Sequence, residues 1–360
     1  MKPRPGASGI VLVGVGAATS LGATAAATGA ATRAGIAGFT DHPFMLDARG
    51  DPFVVAMADW LAPGMRAPAR MCELACRGAR EAAQHLPAAK SRPHARVAAF
   101  VGLPESRPGL DASLAASIST TLGDGLVPGL AAADVRLLPA GHASGLLAME
   151  AAARALQQGS IEFALAGGVD SQIDADTLEW LDQCNRLHVP TNAWGYIPGE
   201  AAGFCLLCTA PTAERHGIKS LGSIGAFGVA DESNRIYTET ICLGWGLTQA
   251  VRQTLDALPA GATVDATICD QNGEAYRADE CGFMLARTSD RFVAATEFVS
   301  PADCWGDVGA ASGPLFVLLA AHAANKGYAK GNRTLMWASA EGGARSAALF
   351  EAECRREARP

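Results

Sequence analysis

The sequence predicts an α/β fold of layered sheets and helices, because strand-like and helical runs alternate along its whole length. Its composition agrees. With 360 residues, 49 % of them hydrophobic and 18 % charged, the chain can bury a large core. Its 40 glycines and long alanine-rich stretches suit helices packed closely on a sheet, because small side chains let backbones approach.

The elements follow in order. Ile10–Val15 reads as a buried strand, followed by a Gly/Ala/Thr turn and a helix. Val97–Gly102 is a second strand. Ala143–Gln158, small and apolar throughout, is a buried helix. Phe163–Gly167 and Phe204–Cys208 are strands, the latter ending before the polar segment Ala213–Lys219. The same grammar then repeats. Leu221–Phe227 is strand-like, Thr248–Leu258 helical, Val264–Cys269 and Phe292–Val299 strands, Pro314–Asn325 an apolar helix and Leu335–Ala338 a last strand. Two α/β halves are expected, 1–215 and 216–360, joined near residues 210–220, with the charged tail EAECRREARP frayed after Phe350.

Several function classes fall away. A formal charge of −7 with no basic run disfavours a nucleic-acid partner, since phosphate binding needs clustered Lys and Arg. The N-terminus imitates a signal peptide, but its apolar core from Ile10 to Val15 is short and glycine-broken and reads better as a strand. No apolar stretch is long enough to span a bilayer, and a cytoplasmic protein is expected. The ten cysteines are scattered. Cys72 and Cys76 fall one helical turn apart with no further ligand nearby, and Cys205 and Cys208 would face opposite sides of a strand. Buried free thiols are expected, with neither a metal nor a cofactor site. Glu200 is expected to be structural, as are Cys269 and Cys304, and Asp231–Arg235 to form a solvated loop; Trp194, Trp245 and Trp305 fill core or line a groove.

Four stretches carry a family signature: VLVGVGAATSLG, PAGHASGLLAMEAAARALQQGSIEFALAGGVDS, GYIPGEAAGFCLL and CWGDVGAASGPLFVLLAA. In order and spacing they resemble the opening strand, nucleophile elbow, later glycine-rich strand and second active-site segment of the β-ketoacyl synthases. The resemblance implies a thiolase-like five-layer αβαβα fold of two related halves, usually a homodimer built across a strand of the first half. It also implies an active site between the halves with its nucleophile at a helix N-terminus, where the dipole and free N–H groups lower a thiol's pKa.

The resemblance also marks what is replaced. The family's nucleophilic cysteine precedes Ala-Ser-Gly, and His142 stands there. Its first histidine opens a His-Gly-Thr-Gly-Thr run, matched by Asn272-Gly273-Glu274-Ala275-Tyr276, and its second follows a glycine, where Asp307 follows Gly306. The lysine falls at Ala302, and the phenylalanine-containing C-terminal loop reads Ser339-Ala340-Glu341-Gly342-Gly343. Condensation needs a thiolate that attacks and leaves, and neutral imidazoles for the enolate oxygen. An aspartate instead places negative charge where negative charge must develop, although Asn272 retains a hydrogen-bond donor.

Two readings follow. In one, the chain is a degenerate synthase acting as a protein-binding partner: a chain-length-factor-like subunit paired with a related synthase, or an accessory protein that helps an adaptor load a type VI secretion effector. In the other, His142, Asn272 and Asp307 form a new site that hydrolyses or transfers acyl groups from acyl-carrier-protein or coenzyme A thioesters.

Overall fold

The computed structural model describes residues 9–353 apart from 48, 89–95 and 125. The first eight residues of the signal-like N-terminus and positions 354–360 of the charged tail lie outside the described residues.

Eleven strands and ten α-helices alternate among the described residues. The strands are β1 (Ile10–Thr19), β2 (Thr40–Leu46), β3 (Pro52–Val55), β4 (Val97–Leu103), β5 (Val135–Pro139), β6 (Phe163–Ser171), β7 (Glu200–Thr209), β8 (Gly222–Asp231), β9 (Ala266–Cys269), β10 (Arg333–Ser339) and β11 (Ala344–Glu351). The helices are α1 (Ala25–Arg33), α2 (Ala67–Ala83), α3 (Leu114–Gly123), α4 (Ser144–Gln157), α5 (Ala175–Gln183), α6 (Ala210–His216), α7 (Trp245–Asp256), α8 (Ala275–Ala286), α9 (Ala302–Trp305) and α10 (Ser312–Lys326).

Nine strands form one sheet in the order β5-β4-β6-β7-β1-β8-β11-β10-β9, and β2 and β3 make a separate hairpin. The long sheet is joined at its middle by a short antiparallel ladder, Val11 opposite Ser223 and Leu12 opposite Gly222. On either side of that join the pairing repeats. β4 runs parallel to β5 and β6, while β6, β7 and β1 alternate antiparallel. Likewise β9 runs parallel to β10, while β10, β11 and β8 alternate antiparallel.

Strands buried on both faces explain why the sequence shows unbroken apolar runs rather than alternation. All seven residues of β4 and all nine of β6 are buried. One core cluster packs α4 and α10 between the two stretches of sheet. Another covers the first stretch with α2 and α3, and a third places α7 and α8 over the second. The order α2/α3, sheet, α4/α10, sheet, α7/α8 is the five-layer arrangement. Where α4 and α10 cross, the backbones almost touch: a Cβ on Gly145 would lie 2.5 Å from Pro314 Cδ.

Two expectations are corrected. Phe292–Val299 is not a regular strand. It lies along the β9 edge through two parallel bridges, Phe292 to Val264 and Val299 to Ile268, and a turn closed by Glu297 N–H to Ala294 O interrupts the ladder. In Asp231–Arg235, expected as a solvated loop, Asp231 ends β8 and Glu232 is buried, its carboxylate accepting from Asn234 and Gly246 N–H groups.

Candidate active site

Three loops meet where the N-termini of α4 and α10 converge. His142 sits in a 3-10 turn, Gly141–Ala143, that leads into α4. Gly141 has φ +58°, which favours glycine, and a Cβ there would press on the Glu105 carboxyl. Ser144 Oγ fastens the turn by donating to Gly141 O at 2.6 Å. Asp307 lies between α9 and α10. Its N–H donates to Ile197 O and its carbonyl accepts from Gly199 N–H, both at 2.8 Å, so the approach to β7 fixes its backbone. Asn272 occupies the loop between β9 and α8.

The structure brings these three side chains together. His142 Nε2 lies 2.8 Å from Asp307 Oδ1, and Asn272 Nδ2 donates to Asp307 Oδ2 at 2.7 Å. Asp307 Oδ1 also accepts from Gln172 Nε2 at 2.9 Å and from Gly309 N–H at 2.9 Å. Tyr196 Oη holds Gln172 by donating to its Oε1 at 2.8 Å. The carboxylate thus receives four donors. Asn272 is equally committed, because its Nδ2 also donates to Glu274 Oε2 at 3.1 Å. The donor that the sequence left to Asn272 is directed at carboxylates.

A wider set of ion pairs braces the loops. Arg186 reaches Glu274 and also Glu341 Oε1 at 2.6 Å. Arg277 pairs with Asp270 at 2.7 Å, and Arg107 with Asp170 at 2.6 Å. Sequence reasoning did not single out Gln172, Tyr196, Arg186, Glu274 or Glu341 as site residues. The one signal was polarity in the wrong place, as at Gln172, which directly follows the wholly buried β6.

Burial by itself would lower the pKa of His142 and raise that of Asp307. Their contact outweighs it. His142 is held above its ordinary value by the Asp307 carboxylate, and Asp307 well below the carboxylate range by His142, Arg277 and the Gly309 N–H. The contact favours the imidazolium–carboxylate form of the pair. Helix dipoles favour the anion at the start of α10 and oppose the cation at the start of α4, so the Asp307 carboxylate is what favours the charged ring.

His142 lines a cavity of about 470 Å³ together with Glu105, Arg107, Trp180, Tyr196 and Tyr237. On the other side of the pair, the space lined by Cys269, Asn272 and Asp307 is about 10 Å³, close to the limit for a single water.

Residues 129–213, from just before β5 into α6, match the family profile described as beta-ketoacyl synthase, N-terminal domain. No curated protein matches the sequence. Among solved structures, the chain superposes at TM-score 0.77 on one described as a type II PKS acyl-carrier protein in complex with its ketosynthase bound to the hexaketide. Identity there is 14 %, covering 95 % of this chain and 98 % of that one. The ishigamide ketosynthase/chain length factor gives TM-score 0.77 at 17 % identity, with the same coverage. The fold is ketosynthase-like. The ketosynthase from module 6 of the bacillaene synthase of Bacillus subtilis 168 gives TM-score 0.74 at 14 % identity, covering 96 % of this chain and 72 % of that one.

The remaining marked residues of this ketosynthase-like chain take plain positions. Glu200 is fully buried and accepts from Arg70 Nε at 2.8 Å, Ala58 N–H at 2.8 Å and Ser171 Oγ at 3.0 Å. Trp305 fills core, whereas Trp194 and Trp245 are exposed. Cys269 and Cys304 are buried, and burial raises both thiol pKa values. Cys205 and Cys208 enter different core clusters on opposite faces of β7. Among the described residues, Glu232, Cys242 and Glu280 gather metal-type donors. They fit a cation poorly, because Arg345 donates to Glu280 at 2.6 Å and both Glu232 oxygens accept backbone N–H groups. No described helix is long and apolar enough to cross a membrane.

Proposed function

We propose that this ketosynthase-like protein does not condense acyl groups and works by binding another protein. The bond between His142 Nε2 and Asp307 Oδ1 carries the reading. If these residues occupy the nucleophile and second-histidine positions, as the sequence resemblance implies, the two are spent on each other. The Asp307 carboxylate favours the protonated ring, which makes His142 a poor general base, and an aspartate that accepts from Asn272, Gln172 and Gly309 as well as meeting His142 does not take up a proton readily. Asn272, at the first-histidine position, has its N–H groups on Asp307 and Glu274 and none for an oxyanion.

Of the two binding roles, the adaptor-like one fits better than a subunit that shapes an acyl tunnel. The cavity over His142 carries Glu105, Arg107, Asp170 and Glu341 beside its aromatic residues, and a long acyl chain would have to run past those charges. The division into related halves at residues 215/216 belongs to the same reading and is supported by the repeated strand pairing.

The alternative is an acyl transferase or thioesterase that uses His142, Asn272 and Asp307, favoured by the exposure of His142 to an open cavity. Thioester turnover separates the two. The purified protein is offered acyl- and malonyl-thioesters on coenzyme A and on carrier protein, beside His142→Ala and Asp307→Ala. No turnover above the variants is expected. Turnover abolished in both variants would overturn the binding role.

A further inference from the structure

The cavity over His142 holds several charges, and the protein has matched most of them itself. Arg107 is paired with Asp170, His142 with Asp307, and Glu341 with Arg186. Two charged side chains of the lining have no ion-pair partner among the described residues, the Glu105 carboxylate and the Arg235 guanidinium. Glu105 is partly buried over Gly141, and both of its oxygens accept from Gly342 N–H at 3.0 Å. With one backbone donor, and with His142 and Arg345 acting on it only from a distance, this half-desolvated carboxylate has no cation in contact. Arg235 is exposed beside the next residue, its Nε 3.2 Å from where a Cβ on Gly343 would sit, with Asp231 Oδ1 2.7 Å from the same point but no ion pair between them. A negative and a positive group without an ion-pair contact therefore flank consecutive residues of one turn.

Two further observations concern what would lie between them. Arg107 spends its Nη2 on Asp170 Oδ1 and Ser171 O, while its buried Nε has no partner, an uncommon omission. The polar groups are accompanied by three aromatic side chains, Trp180, Tyr196 and Tyr237. A volume of about 470 Å³ falls in the range of small-molecule sites.

We propose that this cavity binds a small zwitterion, an α-amino acid with an apolar side chain, its ammonium on Glu105, its carboxylate on Arg235 and its side chain against the aromatic rings. A ligand with only one charge would satisfy one of the two groups and leave the other unmatched. A zwitterion contacts both and adds no net charge to the cavity. This ligand site goes beyond the partner-binding role and does not depend on it.

The test is calorimetry and thermal shift on the full chain at neutral pH. L-phenylalanine is compared with 3-phenylpropionate, which lacks the ammonium, and phenethylamine, which lacks the carboxylate. L-leucine is compared with 4-methylpentanoate and isopentylamine. At least one amino acid is expected to bind about tenfold or more tightly than either of its analogues. Glu105→Gln should close the gap between amino acid and acid, and Arg235→Gln the gap between amino acid and amine. Circular dichroism checks the fold of both variants, and the comparison of ligands on the native chain stands without them. Equal binding of the acid shows an anion site, equal binding of the amine a cation site, and no binding at millimolar ligand an empty cleft. Each of these overturns the proposal. None bears on thioester turnover or partner capture, so the two readings fail separately.

Discussion

Arg186 holds Glu274 through both arms of its guanidinium, Nε to Oε1 at 2.8 Å and Nη2 to Oε2 at 2.9 Å. The same side chain also reaches Glu341 and Tyr237, so one cation neutralises two carboxylates from different loops. Removing it leaves buried charge behind. Arg186→Ala is expected to destabilise the fold by about 3–5 kcal/mol, the usual result of breaking a buried pair from one side. Urea unfolding checks this, and a loss under about 1 kcal/mol would mean that water reaches the carboxylates.

Stability should depend on pH through the His142–Asp307 pair. His142 is raised in the fold, so its contribution is complete below about pH 6.5 and is lost as pH climbs through the raised value. Asp307 is lowered, so its contribution is complete above about pH 4 and is lost as pH falls. Urea midpoints measured across this range should decline on both sides. In His142→Gln the alkaline decline that comes from this pair should vanish, read as a change of slope rather than of absolute stability.

Removing the charge but keeping the shape of Asp307 reverses the balance on His142. In Asp307→Asn the carboxylate no longer opposes burial, and burial together with Arg277 then outweighs the smaller opposing effect of Glu341. The imidazole pKa, followed by NMR titration, should drop from above its ordinary value to below it. A value that stays high would assign the shift to Glu341 and not to Asp307.

Packing at the crossing of the two central helices leaves no room for a side chain. A Cβ on Gly145 would lie 2.5 Å from Pro314 Cδ and 2.7 Å from Ala310 O. Gly145→Val is expected to lower stability by about 1–3 kcal/mol, the range for overpacking. As a contrast, Val293→Lys on the exposed outer edge should change it by less than about 0.5 kcal/mol. Thermal melts of both variants give the comparison.

Much of the frame was legible because its strands are apolar on both faces. The apolar runs Val97–Gly102 and Phe163–Gly167 could hardly lie anywhere but inside, and both are buried. The half-exposed β5 and the hairpin of β2 and β3 have no such mark, and Phe292–Val299 has the composition of a strand but a turn in its middle. His142, Asn272 and Asp307 were picked out by the stretches around them, and the structure brings them into contact. Their supports were out of reach. Gln172 meets Asp307 across 135 residues, and Arg186 meets Glu341 across 155. Nothing local in a sequence records which distant carboxylate a buried arginine will find.

The close contact of α4 and α10 bears on how such a chain can change over generations. Its small and apolar residues, with Gly145 seated against Pro314, set the spacing of the layers, while His142 and Asp307 stand on the turns just ahead of those helices. Selection for folding therefore acts on one group of positions and selection for chemistry on another. Mutations can rewrite the turns while the helices hold the architecture, and a lineage can exchange one task for another without passing through an unfolded ancestor.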